Sequence, residues 1–378
     1  MLRFVAVSLV LHIHSLQAFG PLQTGAAPGI PGLLLELLPP GRRGVDIFFV
    51  LSGFLVSGLF FKELALRGTV SPGRFLIRRA FKIYPGFWLL ILVTAILRLQ
   101  QSGQVSLKAL CAELFFYQNY VTGLWPHTWT LAIEEHFYLI LAGLFFALKQ
   151  VAGPQGTVNL KVIPRIFDVV ICSCLAAKIL TWWFTDGINS SNYQWFDRVT
   201  HVRIDALFFG MWLAHVWHNC WNESMKTRVL SFRYLWAGAG LLLISGLAEW
   251  TMGLATWYVF GFVMVYLGAG CLLIASLSLD YGRCPAWFKG IAWLGKHSYS
   301  VYLWHLLTLE WLQPVLGAGS SSLGVYLMKE SVFLAGCWSF GILTARIVEI
   351  PMLRLRDRLF PARQSWGGEI KPSCGQAR

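Results

Sequence analysis

The chain has 378 residues, 56% apolar, 15% aromatic and only 13% charged, which is far more apolar than a typical water-soluble domain. It is therefore an integral membrane protein, and its eighteen Trp suit aromatic belts at two interfaces. A formal charge of +13 would suggest nucleic acid in a soluble chain, but in a membrane chain the positions of the basic residues matter more than their sum.

Runs of about 17 to 25 apolar residues are read as spans. Ten emerge, at residues 2–19, 46–62, 83–100, 128–149, 163–184, 202–220, 232–250, 256–278, 298–316 and 325–348. The fold class is all-α, a polytopic integral membrane bundle of about ten transmembrane helices. A shorter apolar run at 107–117 is too brief to cross and reads as interfacial or re-entrant. No repeat or linker divides the chain. Residues 1–350 form the transmembrane domain and 351–378 a basic cytoplasmic tail.

With the N-terminus in the cytoplasm, the basic residues gather on the inner connections, above all Arg74, Arg78, Arg79 and Lys82 after the second span and Arg346 to Arg378 after the last. The outer connections hold mainly Arg42, Arg43, Lys108 and Arg198. By the positive-inside rule both termini are cytoplasmic. Asn189 would then be an external glycosylation sequon, whereas the sequon at Asn222 would face inward and stay silent.

The first span carries Arg3, His12 and His14 in an otherwise apolar run. Eleven helical steps bring Arg3 and His14 to within about 20° of one face and roughly 16 Å apart, while His12 turns about 200° away from His14. A basic residue at one membrane surface and an imidazole deep in the bilayer, on one stripe, face a bundle interior or polar cavity. The run also resembles a secretory signal, but it lacks an A-x-A site and has a polar stretch near its end.

The second span opens on Gly44-Val45-Asp46 and continues through Ser52-Gly53 and Gly58, small residues that allow close helix approach. Asp46 is either interface decoration or a carboxylate that orients an imidazole. Arg78, Arg79 and Lys82 lie at i, i+1 and i+4, a cluster able to clamp phosphates from the cytoplasm. In Trp129 to Tyr138, the adjacent Glu134 and Glu135 cannot both face one side of a helix, so at least one looks inward. Glu135 and His136 have no further ligands at a recognisable spacing, and no metal is expected. The cysteines show no ligand or disulfide pattern, and Cys172 and Cys174 point apart on a helix. Arg346 and Glu349, at i and i+3, read as a helix-end ion pair.

Together these pieces resemble the membrane-bound acyltransferase-3 family, which includes O-antigen acetyltransferases and macrolide acyltransferases. The matching residues are Leu2-Arg3 with His14, Gly44 to Phe54, Arg78-Arg79 through Pro85, Trp129 to Tyr138, Arg203-Ile204-Asp205-Ala206, Ser298 to His305 and Glu349-Ile350-Pro351, in family order. Three positions depart from the pattern: Lys82 stands for an Arg, His136 for a Gln and Phe4 for a small residue. Only two residues precede Arg3, which suggests a truncated start, and no esterase-like domain follows the core.

The resemblance implies a ten-helix membrane domain and acyl donation from cytoplasmic acyl-CoA, with acetyl-CoA the expected donor. The acceptor is the hydroxyl of a carbohydrate, a lipid-linked molecule or a small molecule. In that reading His14 is the general base, and Asp46 or Glu134 steadies its imidazolium. Arg3, Arg78, Arg79 and Lys82 hold the CoA phosphates. The alternative is a polytopic transporter or lipid flippase whose intramembrane charges line a pathway.

Overall fold

The computed structural model describes residues 1–20, 42–153, 158–185, 188, 192–222, 232–251, 257–277 and 284–361. The regular elements among them are helices. The first half holds α1 (Leu2–Phe19), α2 (Arg42–Arg67), α3 (Pro72–Ser102), α4 (Leu107–Leu114), α5 (Trp129–Ala152) and α6 (Ile163–Phe184). Then come the short α7 (Gln194–Asp197) and α8 (Thr200–Arg203), with α9 (Asp205–His215), α10 (Phe232–Thr251) and α11 (Phe262–Leu277). The last are α12 (Ala286–Lys296), α13 (Ser298–Leu316), α14 (Leu323–Thr344) and α15 (Ile350–Leu359).

Among the described residues six helices are long and apolar enough to cross a membrane: Leu2–Phe19, Arg43–Arg67, Pro72–Ser102, Trp129–Ala152, Trp257–Leu277 and Leu323–Leu359. Each of the ten expected segments is helical, but 163–184, 202–220, 232–250 and 298–316 do not reach that standard. Physical reasons are visible for two of the four. The segment at 202–220 is broken into the end of α8, the eleven-residue α9 and a π-helical turn at Val216–Cys220. In α13 two serines, His305 and Glu310 interrupt the apolar run. Both Asn189 and the tail beyond residue 361 lie outside the described residues.

The short run at 107–117, expected to be interfacial or re-entrant, contains α4, with Ser106 Oγ accepting the Ala109 N–H as its cap, 3.2 Å away. Its last turn buries Glu113 completely, and that side chain reaches forward to the segment that starts α5. Glu113 Oε1 accepts from Leu124 N–H at 2.9 Å and Trp125 N–H at 3.2 Å, and lies 2.9 Å from Thr128 Oγ1. Burial pushes the Glu113 carboxyl up to about 7, against the pull of these donors.

α2 is the central helix, with α9 packed along it and α1 and α11 against its flanks. The α2–α9 approach depends on two glycines. A Cβ on Gly53 would collide with the carbonyl oxygen of Leu207, and one on Gly210 with that of Val50. Glycine at both positions lets the two backbones touch, as small residues do at helix crossings in membranes.

Two buried ion pairs stand beside this crossing. Arg203 Nη2 donates to Asp46 Oδ1 at 2.7 Å, and Lys178 Nζ lies 3.4 Å from Asp205 Oδ2. All four side chains are buried almost completely. Removing one member would leave its partner charged and dry, a cost of about 3 to 5 kcal/mol.

Candidate active site

Two cavities lie between the helices, and α1, α2, α5 and α13 each contribute to both. The first, of about 90 Å³, is lined by Arg3, Ser52, Arg79, Lys82, Glu134 and Tyr138 among others. Three cations from α1 and α3 thus face one carboxylate from α5. Tyr138 Oη donates to Glu134 Oε2 at 3.2 Å and lies 2.9 Å from Ser52 Oγ. The guanidinium of Arg79 sits over the Tyr138 and Phe75 rings, 5.5 and 5.6 Å from their centroids, which fixes it without consuming its hydrogen-bond donors.

The second cavity, of about 370 Å³, is lined by His14, Gln17, His127, Trp129, Asp197 and Arg198 among others. His14 belongs to a file of three imidazoles. Its ring centroid is 5.0 Å from that of His305, which is 4.8 Å from that of His127. Backbone carbonyls fix the tautomers of the latter two, because a carbonyl can only accept. His127 Nε2–H donates to Leu303 O at 3.1 Å, and His305 Nδ1–H to Tyr302 O at 2.5 Å. Neutral His127 therefore keeps its lone pair on Nδ1 and His305 on Nε2, and among the described residues neither of these buried atoms has a hydrogen-bond partner. Among the described residues no group of His, Cys, Asp and Glu has the arrangement to hold a metal ion.

The residues singled out in the sequence are thereby divided. Arg3, Arg79, Lys82 and Glu134 share the small cavity, and His14 stands in the large one. Arg3 and His14 lie on one stripe of α1 but open into different cavities. Arg78 lines neither: its Nη2 lies 3.1 Å from Asp357 Oδ1 and its Nη1 donates to the Phe360 carbonyl, tying α3 to α15. Asp46 also lines neither; it pairs with Arg203, which itself reaches the large cavity. A carboxylate beside His14 was expected from Asp46 or Glu134, whereas the acid that lines the His14 cavity is Asp197.

His12 faces elsewhere, with Nδ1 2.6 Å from Glu330 Oε1 on α14. Glu135 takes the Tyr84 hydroxyl at 3.1 Å, so both adjacent glutamates find partners inside the protein. Glu349 accepts from Ser300 Oγ at 2.7 Å, a helix-to-helix bond in place of the expected pair with Arg346. His127, His305 and Tyr302 were not assigned roles from the sequence, although each lies in or beside a segment that carried the family resemblance. The signal that was available is the presence of two imidazoles in apolar surroundings.

A family model described as an acyltransferase domain, that of the acyltransferase-3 family, matches residues 1–344. The chain belongs to this family of acyl-transferring enzymes and is a multi-pass membrane protein. It is similar to the peptidoglycan O-acetyltransferase OatA of Listeria monocytogenes, 26% identical over 336 residues that cover 82% of this chain and 51% of that protein. It is also similar to the O-acetyltransferase OatA of Staphylococcus aureus strain NCTC 8325, 25% identical over 318 residues covering 78% of this chain and 50% of that protein. The chain thus spans about half the length of these curated relatives. No solved structure matches it.

Proposed function

We propose that the chain is a membrane O-acetyltransferase that takes an acetyl group from acyl-CoA in the small cavity and passes it to a carbohydrate hydroxyl in the large one. The observation that supports this most is the pairing of a cavity rich in cations with an adjoining cavity that presents an imidazole. Arg3, Arg79 and Lys82 offer phosphate ligands, and Arg79 offers the planar fork that binds them two bonds at a time. The large cavity combines aromatic faces from Trp129 and Tyr193 with the polar groups of Gln17, Asp197 and Arg198, a chemistry suited to sugar rings and hydroxyls.

In this reading neutral His14 takes the proton of the acceptor hydroxyl as its oxygen attacks the thioester carbonyl. The tetrahedral adduct collapses, the C–S bond breaks, and the imidazolium returns its proton to the departing thiolate. The acceptor class is suggested by the relatives named O-acetyltransferase, one of which is named for peptidoglycan. The same relatives and the family model favour acyl transfer over the transporter or flippase reading. Orientation follows the basic residues, with Arg3 and both termini on the cytoplasmic side.

The test is acetyl transfer by purified protein from radiolabelled acetyl-CoA to a panel of peptidoglycan fragments, other glycans, lipids and small hydroxyl compounds. Labelled product on a glycan supports the proposal. Thiol release and labelled product both absent across the panel would reject it.

A further inference from the structure

α1, α2, α5 and α13 each line both cavities. Along α1 the lining changes between Arg3 and Val10, and along α5 between Trp129 and Thr130. α2 gives Ser52 to the small cavity and Val45 to both, while α13 gives Tyr299 to the small cavity and Leu306 to the large one. Tyr302 lines both.

The Tyr302 side chain is held there from several directions. Its hydroxyl donates to the His127 carbonyl at 2.9 Å and, having only one hydrogen, accepts from Thr130 Oγ1 at 2.8 Å. The ring packs edge-on to Phe48 and His127, with centroids 6.0 and 5.6 Å away, and lies 5.5 Å from His305. A phenol tied at its tip and packed around its ring is a fixed wall.

The chemistry gives such a wall a purpose. A cavity of about 370 Å³ that presents His14, Gln17, Asp197 and Arg198 is large enough for several waters, each of which occupies about 30 Å³ in the liquid. Water is itself an acceptor: its oxygen can attack the thioester carbonyl, breaking the C–S bond, with one water proton passing to the thiolate and the other released to solvent as the acetic acid formed ionises to acetate. Resting on the donor and acceptor assignments above, we propose that Tyr302 is a positioning residue that shields the donor thioester from water in the acceptor cavity. It admits the acyl carbonyl only at its edge, where a bound hydroxyl meets it.

The experiment uses full-length purified protein with acetyl-CoA, following thiol release with and without a glycan acceptor and acetyl-glycan formation in parallel. Wild type should release little thiol without acceptor, and about one acetyl ester per thiol with it. Tyr302→Ala should raise acceptor-independent thiol release by about tenfold or more and lower the ester-to-thiol ratio, because excluding water is what suppresses this side reaction. Tyr302→Phe keeps the ring and loses both hydroxyl bonds, so its ratio should fall less than that of Tyr302→Ala. A wild-type ratio in Tyr302→Ala overturns the proposal; if that variant does not fold, an unchanged ratio in Tyr302→Phe does so. Wild-type protein that forms no ester at all is a different outcome, which counts against the donor and acceptor assignments.

Discussion

His12 and His14 are two residues apart, yet one meets a carboxylate on α14 and the other lines a cavity beside His305. Helical phase decides this, and their substitutions should fail in different ways. His14→Ala should lower turnover by about 10² to 10⁴ with donor affinity little changed, as expected for loss of a general base. His12→Ala instead strands Glu330, so it should lower the thermal stability of solubilised protein and leave turnover close to wild type. Equal loss of turnover in both would remove the distinction.

The neighbouring arginines divide in the same manner. Arg79→Ala should weaken acetyl-CoA binding by about tenfold or more, and Arg79→Lys should recover part of it, because lysine keeps the charge and loses the fork. Arg78→Ala should release α15 from α3 with a much smaller effect on donor affinity. Calorimetry with the three variants checks this ordering. Charge clustering was legible in the sequence at Arg78, Arg79 and Lys82, but the side each faces was not. That depends on where α15 docks.

For the helices, the crossing of α2 and α9 is set by Gly53 and Gly210, each in contact range of a carbonyl of the other helix. Gly53→Ala should lower stability by about 1 to 3 kcal/mol, measured as a loss of thermal stability in detergent, because neither backbone has room to yield. A neutral result would show that the helices can move apart. The close-approach role of Gly53 was readable from its Ser-Gly setting, but its partner Gly210 was not, since pairing between distant helices leaves no mark on local periodicity.

Glu113 gives α4 a consequence in pH. Its carboxyl is raised from an ordinary 4.5 to about 7 by burial. The folded state therefore holds a proton that the unfolded state has lost between those values. Stability should fall as pH rises from about 4.5 to 7 and level off above. Glu113→Gln cannot titrate and should flatten that part of the profile, as read by thermal unfolding across the range. A slope that persists in Glu113→Gln would assign it to another group. The sequence showed a short apolar run here, interfacial or re-entrant, but not the function of its acid, because the Leu124 and Trp125 donors are backbone groups brought close by tertiary structure.

At the scale of the whole molecule, the alignment of Arg3 with His14 was legible because an α-helix has a fixed period. What periodicity could not supply was the division of that stripe between two cavities, which needs Tyr302 from α13 and Thr130 from α5 to meet. Nor could it supply the imidazole file, since His127 and His305 are fixed by backbone carbonyls. The ten segments were found as helices, but length and apolarity support six spans among the described residues. Buried charges such as Arg203 and Lys178 belong inside a bundle and lower the hydropathy by which a span is recognised.

In the proposed reaction donor and acceptor meet along α1, their binding groups Arg3 and His14 about 16 Å apart. The most direct test is acetyl transfer in sealed vesicles with the protein in one orientation, labelled acetyl-CoA confined to the side of the N-terminus and glycan acceptor to the other. Labelled glycan should form on the acceptor side and none when the two compartments are exchanged; label that reaches glycan only when both substrates share a compartment would overturn transfer across the membrane.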